Sequence, residues 1–330
     1  MIEAEAIPEI SQGVQPEWGM GMEWGWGSGG KGWWAGIPIL WGILLLLVVL
    51  AGCGSWEKSR VVTVVDPQPD AGVGERGFDI EVRFGDDSFT LAQQAAFERA
   101  ASRWMTIMTS DLSNIALSLP SHACLQGLPA VNQAVDDLLI DVLGVVIDGR
   151  AGVLGAASPC VLRRSNQLPV YGFIQFDIED VVLLEERGQL ETVIVHEMGH
   201  VLGFGTLWPR LGLAVGVGGE DPRFAGAQAN LQYGALGGMG SVPIEDQGGS
   251  GTADVHWRES VFDTELMTGS LNGGLTNPLS RLTLGSLLDM GYQVNFAQAD
   301  PYQLPETGAR RRAGMPLQEQ LLPVVMQWVD

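Results

Sequence analysis

Polar and apolar residues alternate through FDIEVRF at residues 78–84, the period of a half-buried strand. Across residues 91–108, LAQQAAFERAASRWMTIM, apolar positions recur three and four apart, which predicts an amphipathic helix. Two further strands are expected near residues 137–147 and across VYGFIQF at 170–176. Helical spacing returns at residues 189–202, QLETVIVHEMGHVL. There Ile194, Met198 and Val201, with Val195 and Leu202 beside them, form an apolar stripe, while His196, His200 and Val193 share another face. Gly203 ends this helix, because glycine adopts the left-handed conformation that turns the chain sharply. Gly199 inside it costs roughly 1 kcal/mol relative to alanine, which points to a close approach by another backbone. The glycine clusters GVGGEDP, GALGGMGS and DQGGSGTAD make residues 204–255 loop-rich, with one short helix expected at 225–233. The run LSRLTLGSLLDMG then reads as a helix with Ser280 as N-cap and Gly291 just past its end. From about residue 309 no element is assigned. The order strand, helix, strands, helix predicts helices layered on a sheet.

Composition narrows the function. With 18 Lys+Arg against 39 Asp+Glu, a formal charge of -21, the surface repels a phosphate backbone, so nucleic acid is excluded as a partner. Residues 33–51, WWAGIPILWGILLLLVVLA, carry no charge and follow Lys31, as an export signal or membrane anchor does. The run closes on Leu50-Ala51-Gly52-Cys53, which resembles the lipobox of bacterial lipoproteins, where the signal is cut before a cysteine that then carries lipid. The acidic residues Glu3, Glu5, Glu9, Glu17 and Glu23 fit poorly before such a signal, so Met20 or Met22 is a candidate true start. The expected organisation is an export segment at 1–52, a tether at 53–76, a catalytic half at 77–205, a second half at 206–300 and a tail at 301–330. An exported protein, anchored through Cys53 and facing the periplasm or cell exterior, follows. Leu304-Pro305-Glu306-Thr307-Gly308 spells a sortase signal, but Arg310, Arg311 and Arg312 come before any apolar span, so it reads as an ordinary turn.

If Cys53 carries lipid, Cys124 and Cys160 remain as a pair in an oxidising compartment, where a disulfide is the natural reading. Two buried thiols, or an inhibitory Cys124 capping a metal, are the alternatives. The metal itself is suggested by His196-Glu197-Met198-Gly199-His200. Imidazoles at i and i+4 on one helical face can share one Zn²⁺, and the intervening glutamate is offset toward the open coordination position, where it can take a proton from water. The implied reaction is amide hydrolysis without a covalent intermediate. Zinc needs a third protein ligand; in the metzincin proteases, which this stretch resembles, it stands three residues beyond the glycine, yet here that position is Thr206, and a hydroxyl is a poor zinc ligand. His122, Glu259 and His256 are the candidates. His256 is preferred by that resemblance, because Gly203 breaks the helix where a metzincin needs the chain to turn beneath the metal, and because Met267 follows in Glu265-Leu266-Met267-Thr268 before a glycine-rich loop, where a metzincin's methionine turn would lie.

These motifs together resemble the leishmanolysin-type metallopeptidases, a metzincin family in which a long insertion separates the glycine of the helix motif from the third histidine. The resemblance rests on HEMGHVLG at 196–203, His256-Trp257 and Glu265-Leu266-Met267, and looks closest to exported bacterial members. It extends to Val135-Asp136-Asp137-Leu138, Gly152-Val153-Leu154-Gly155, Phe176-Asp177, Gly205-Thr206-Leu207-Trp208 and Leu288-Asp289-Met290-Gly291-Tyr292, covering roughly residues 77–301. It implies an α+β metzincin-type fold: a mixed sheet with the active-site helix, then a loop-rich half with the methionine turn and a C-terminal helix. It also implies one zinc held by His196, His200 and His256, Glu197 as general base, Met267 in the turn below the metal, a bonded Cys124–Cys160 pair, and protein or peptide substrates. By analogy, the strand at 170–176 is expected to be the edge that pairs with an extended substrate. No large propeptide is evident. A surface-anchored metal-binding or adhesion protein with the same fold but little catalysis is the alternative function.

Overall fold

The structure is a computed structural model that describes residues 77–272, 276–306, 314–320 and 326–330; the apolar run, Cys53 and the tether lie outside the described residues. Strand β1 (Ile80–Phe84) leads into helix α1 (Leu91–Ile107). Thr90 and Gln93 start α1 with a reciprocal capping box, which satisfies two amides that the first turn leaves unpaired. A hairpin of β2 (Ile115–Leu119) and β3 (Val131–Val135) precedes β4 (Leu138–Val145), β5 (Gly155–Arg163) and β6 (Pro169–Asp177). Helices α2 (Ile178–Glu186) and α3 (Leu190–Val201) follow. The loop-rich part contains β7 (Ala214–Val215), β8 (Arg223–Phe224), α4 (Ala227–Ala235), β9 (Val242–Pro243), α5 (Glu259–Phe262), β10 (Ser270–Leu271) and α6 (Arg281–Met290). Strands β11 (Met315–Pro316) and β12 (Gln327–Val329) come from the stretch that had no assignment.

The main sheet has the order β1-β4-β6-β5-β12. Strands β1, β4 and β6 are parallel, β5 is antiparallel to β6, and β12 is parallel to β5, so the sheet is mixed as expected. The position of β6 corrects one expectation. Residues 170–176 lie inside the sheet between β4 and β5, and the strand beyond them is β5. Strand β5 is hard to read from sequence because Pro159 and small residues interrupt it, and its pairing with β6 shifts register around Pro159 and Val161.

One face of the sheet packs on α1 and α3 through Phe97, Trp104, Ile174, Phe176, Ile194 and Met198. The other is covered by the β2–β3 hairpin, whose Ile115, Leu117 and Val131 meet Leu139, Val161 and Val170. Cys124 and Cys160 are bonded, clipping the hairpin's loop to β5. Because α3 lies between the sheet and the later loops, residues 193–202 are buried on every side, not along one stripe alone. Its end is tied down from α6: the Tyr292 hydroxyl donates to the Leu202 carbonyl (2.9 Å). In turn Asp289 accepts the Gln228 and Ala229 amides that open α4 (both 2.9 Å).

Gly203 (φ 102°) and Gly205 (φ 72°) execute the turn after α3. A side chain at Gly205 would run into the Val255 carbonyl, so this is where the chain returns after its fifty-residue excursion. The contact sets His256 beside the helix it left. Beneath it, Phe204, Trp208, Phe224, Trp257 and Phe262 form a fully buried aromatic cluster, with Trp257 centred 4.7 Å from Trp208 and 5.1 Å from Phe204. Among the described residues no helix is long and apolar enough to cross a membrane.

Candidate metal centre

His196, His200 and His256 converge. Their Nε2 atoms stand 3.0 to 3.1 Å apart, pair by pair, and all three rings are buried. Each ring is oriented from behind. His196 Nδ1 lies 2.7 Å from the Leu266 carbonyl, His200 Nδ1 3.0 Å from the Phe204 carbonyl, and His256 Nδ1 2.9 Å from the Thr252 carbonyl. A carbonyl only accepts, so each Nδ1 carries the hydrogen and each Nε2 directs a lone pair at a common point. Three lone pairs at that spacing repel one another unless a cation lies among them.

The site's surroundings account for much of the local sequence. The Gly203 turn delivers the Phe204 carbonyl to His200, and Thr206 donates to the His200 carbonyl (3.0 Å), closing the helix end rather than reaching the imidazoles. Gly199 faces a side chain, not the backbone its presence suggested: an added Cβ would meet Met267 Cε at 2.8 Å and Sδ at 3.1 Å, with Trp104 beyond. The Met267 thioether therefore packs under the helix at the ligand-bearing turn. Its own turn touches both arms of the site, since Leu266 accepts from His196 and the Trp257 amide donates to the Met267 carbonyl (2.9 Å).

Glu265 holds that turn in place, a role the sequence did not disclose. Its buried carboxylate accepts from the Met267 amide (2.7 Å), the Ser280 amide (3.1 Å) and hydroxyl (2.7 Å), and the Thr283 hydroxyl (2.6 Å). Burial pushes its pKa up, and these donors pull it back in part. The Glu265→Ala variant, which strands several buried donors, is expected to lose about 3 kcal/mol of stability in a denaturant titration. An unchanged unfolding midpoint would contradict this anchoring role.

Glu197 is 1% exposed, and neither carboxylate oxygen has a hydrogen-bond partner. Burial, reinforced by the charge of Glu319, raises its pKa well above the usual range. Burial lowers the His200 pKa to about 3, keeping that imidazole neutral, as a metal ligand must be.

The other candidates lie elsewhere. His122 sits in the hairpin's turn, where its Nδ1 accepts the Gly127 amide (2.9 Å). Glu259 opens α5 with its amide on Glu245 and is outside the imidazole group. Cys124 is bonded to Cys160 and caps nothing. A fourth group that was not foreseen completes the cluster: Glu319, whose carboxylate oxygens lie 3.1 Å from His196 Nε2, 3.4 Å from His200 Nε2 and 3.5 Å from His256 Nε2. Burial would raise its pKa, but the three imidazoles outweigh that and hold it well below the usual carboxylate range. Glu319 Oε1 faces His196 and His256 while Oε2 faces His200, so three imidazole nitrogens and one carboxylate surround a common point, a donor set of the nitrogen and oxygen type that zinc takes.

A buried group of convergent imidazoles beside an unpartnered carboxylate, on a mixed α/β frame, defines a candidate metal-binding protein. Residues 104–306 match the leishmanolysin family model, more than half of the chain, and the chain belongs to that family. It is 31% identical to the leishmanolysin of Leishmania donovani over 177 residues, 50% of this chain and 28% of that protein. It is 32% identical to a leishmanolysin homolog of Crithidia fasciculata over 163 residues, 45% of this chain and 24% of the relative. A leishmanolysin-like peptidase of Drosophila melanogaster is 42% identical over 60 residues, 18% of this chain and 8% of the relative. The aligned part thus covers under a third of these relatives' lengths.

Proposed function

We propose that this chain is a zinc-dependent endopeptidase of metzincin type, acting on proteins or peptides. The observation that carries the reading is the convergence of His196, His200 and His256 Nε2 on one point beside the buried, unpartnered Glu197. In this reading the three imidazoles hold the metal, and the carbonyls of Leu266, Phe204 and Thr252 keep each ring aimed. Zinc, when bound, polarises the scissile carbonyl and makes water a stronger acid. Glu197 takes a proton from the attacking water as its oxygen adds to the carbonyl carbon. It then gives that proton to the departing amide nitrogen, so one water is consumed for each C–N bond broken. Glu265–Thr268 serves as the methionine turn, and residues 77–205 and 206–300 act as the two halves of the catalytic unit. The test is zinc content with hydrolysis of an unfolded protein such as casein, measured on the parent and on Glu319→Ala, whose carboxylate stands at the same point. One zinc per chain and cleavage that Glu197→Gln abolishes support the reading. Zinc without cleavage in either protein favours a non-catalytic, surface-anchored binding protein.

We further propose that the chain is exported and anchored as a lipoprotein, facing the periplasm or cell exterior. Lys31, the uncharged run at 33–51 and Leu50-Ala51-Gly52-Cys53 support this. After cleavage the mature chain keeps 34 acidic (39 − 5) and 17 basic (18 − 1) residues, or -17. Metabolic labelling with a radioactive fatty acid is expected to mark the parent and to disappear in Cys53→Ala. Label that persists in the variant would remove the anchor.

A further inference from the structure

A short extended segment from the end of the chain lies against the imidazole site. Residues 314–320 alternate: Leu317 is buried and the Glu319 side chain is 7% exposed, whereas Pro316, Gln318 and Gln320 face solvent. The segment is fixed on two sides. Met315 and Pro316 pair with β10, and the Leu317 amide donates to the Gly269 carbonyl (3.0 Å). Toward β5, the Leu154 amide donates to the Gln318 carbonyl (2.7 Å) and the Gln320 amide to the Gly155 carbonyl (2.9 Å). Glu319 bridges Gly155 in parallel, and β12 then pairs with the far end of the same strand at Val161–Arg163.

The backbone groups of β5 are the ones an added strand would use, and the inward-facing side chain of this strand is a carboxylate aimed at three imidazole lone pairs. Neutral lone pairs facing a carboxylate repel it, so the arrangement needs positive charge among them, which a bound metal cation supplies. We propose that Glu319 is the fourth protein ligand of the metal, and that residues 314–320 form an autoinhibitory strap lying where an extended substrate would pair with the Gly155 end of β5. The inference rests on the metallopeptidase reading above.

The strap blocks in two ways. Its carboxylate fills the position beside Glu197 that water and a substrate carbonyl need, and its backbone occupies the hydrogen-bonding edge. It also resists cleavage at that point, because a side-chain carboxylate carries no amine to expel. Being part of the same chain, it competes with free peptide at an effective concentration on the order of millimolar, so a few hydrogen bonds suffice. The cleft of about 780 Å³ at this place is lined jointly by Leu317 and Glu319 and by Glu245, Gln247, Thr252 and Ser260, leaving room for a longer peptide once the strap is displaced.

The experiment uses the full chain loaded with cobalt(II) in place of zinc and titrated with acetohydroxamate, with the visible absorption band as readout. A strap closed more than nine-tenths of the time weakens the apparent affinity of any competing ligand by about tenfold or more. Glu319→Ala is therefore expected to bind acetohydroxamate at least about tenfold more tightly than the parent, with a parallel rise in peptide hydrolysis by the zinc form. Gln320→Pro, which retains the carboxylate but loses the amide bonded to Gly155, is expected to shift the same way by less, and it decides the matter if Glu319→Ala misfolds. Equal hydroxamate affinity in the parent and the folded variants would overturn the strap, as would a failure of all of them to bind cobalt or zinc. Tighter hydroxamate binding without hydrolysis of any peptide would uphold the strap and overturn the peptidase reading.

Discussion

Glu197→Gln is expected to slow peptide hydrolysis roughly 10²- to 10⁴-fold, the range that a positioned general base contributes, while zinc content stays at one per chain. The substitution keeps the volume and planarity of a side chain that is 1% exposed, so the fold has no new cavity to accommodate. It removes only the capacity to accept and return a proton. Because neither Glu197 oxygen is engaged in a hydrogen bond, no structural network is lost with the charge, and the effect is confined to the rate. The measurement is turnover at saturating zinc with metal analysis on the same sample. A variant that loses zinc together with activity would place Glu197 among the metal-holding groups instead.

His256→Ala is expected to lose zinc affinity by more than the roughly 100-fold that disturbing a ligand's supporting partner costs, whereas Glu259→Ala retains the parent's affinity. The contrast follows from position. His256 Nε2 is 3.1 Å from His196 Nε2 and 3.0 Å from His200 Nε2, while Glu259 starts α5 away from the group. Since metal binding is coupled to folding, His256→Ala is also expected to unfold at the temperature of the metal-stripped parent. Competition with a chromogenic chelator gives the affinities. Comparable losses in both variants would contradict the assignment of the third arm to His256.

The helices and the site were legible for different reasons. Helix α1 announces itself through its apolar period, and α6 through Ser280 and Gly291, because capping is local chemistry; the Thr90-Gln93 box of α1 came only with the structure. His256 was legible because only four histidines are available in the chain, and the Gly203 turn demanded a distant ligand. Strand β5 was not, since its burial comes from neighbours on both faces and its own GAASPC carries neither alternation nor bulk. Helix α2 follows β6 without a break; its signal was Asp177, whose carboxylate accepts the Glu179 amide and those of Ile147, Asp148 and Gly149. Glu265 and Glu319 escaped because a glutamate in sequence reads as a surface residue, and only long-range pairing turns it inward. In retrospect the alternation of Leu317 and Glu319 with polar neighbours marks a strand with a carboxylate on its buried face. Two acids of the matching motifs are structural: Asp137 accepts the Asp79 and Leu112 amides, and Asp289 those of α4.

The central claim is that His196, His200 and His256 hold a zinc beside which Glu197 works as the base. The most direct measurement is casein hydrolysis, with zinc content, in the Glu319→Ala chain with and without Glu197→Gln. The account predicts one zinc in both proteins, cleavage by the first, and a fall of about 100-fold or more in the second. Equal cleavage by the two zinc-loaded proteins would contradict it.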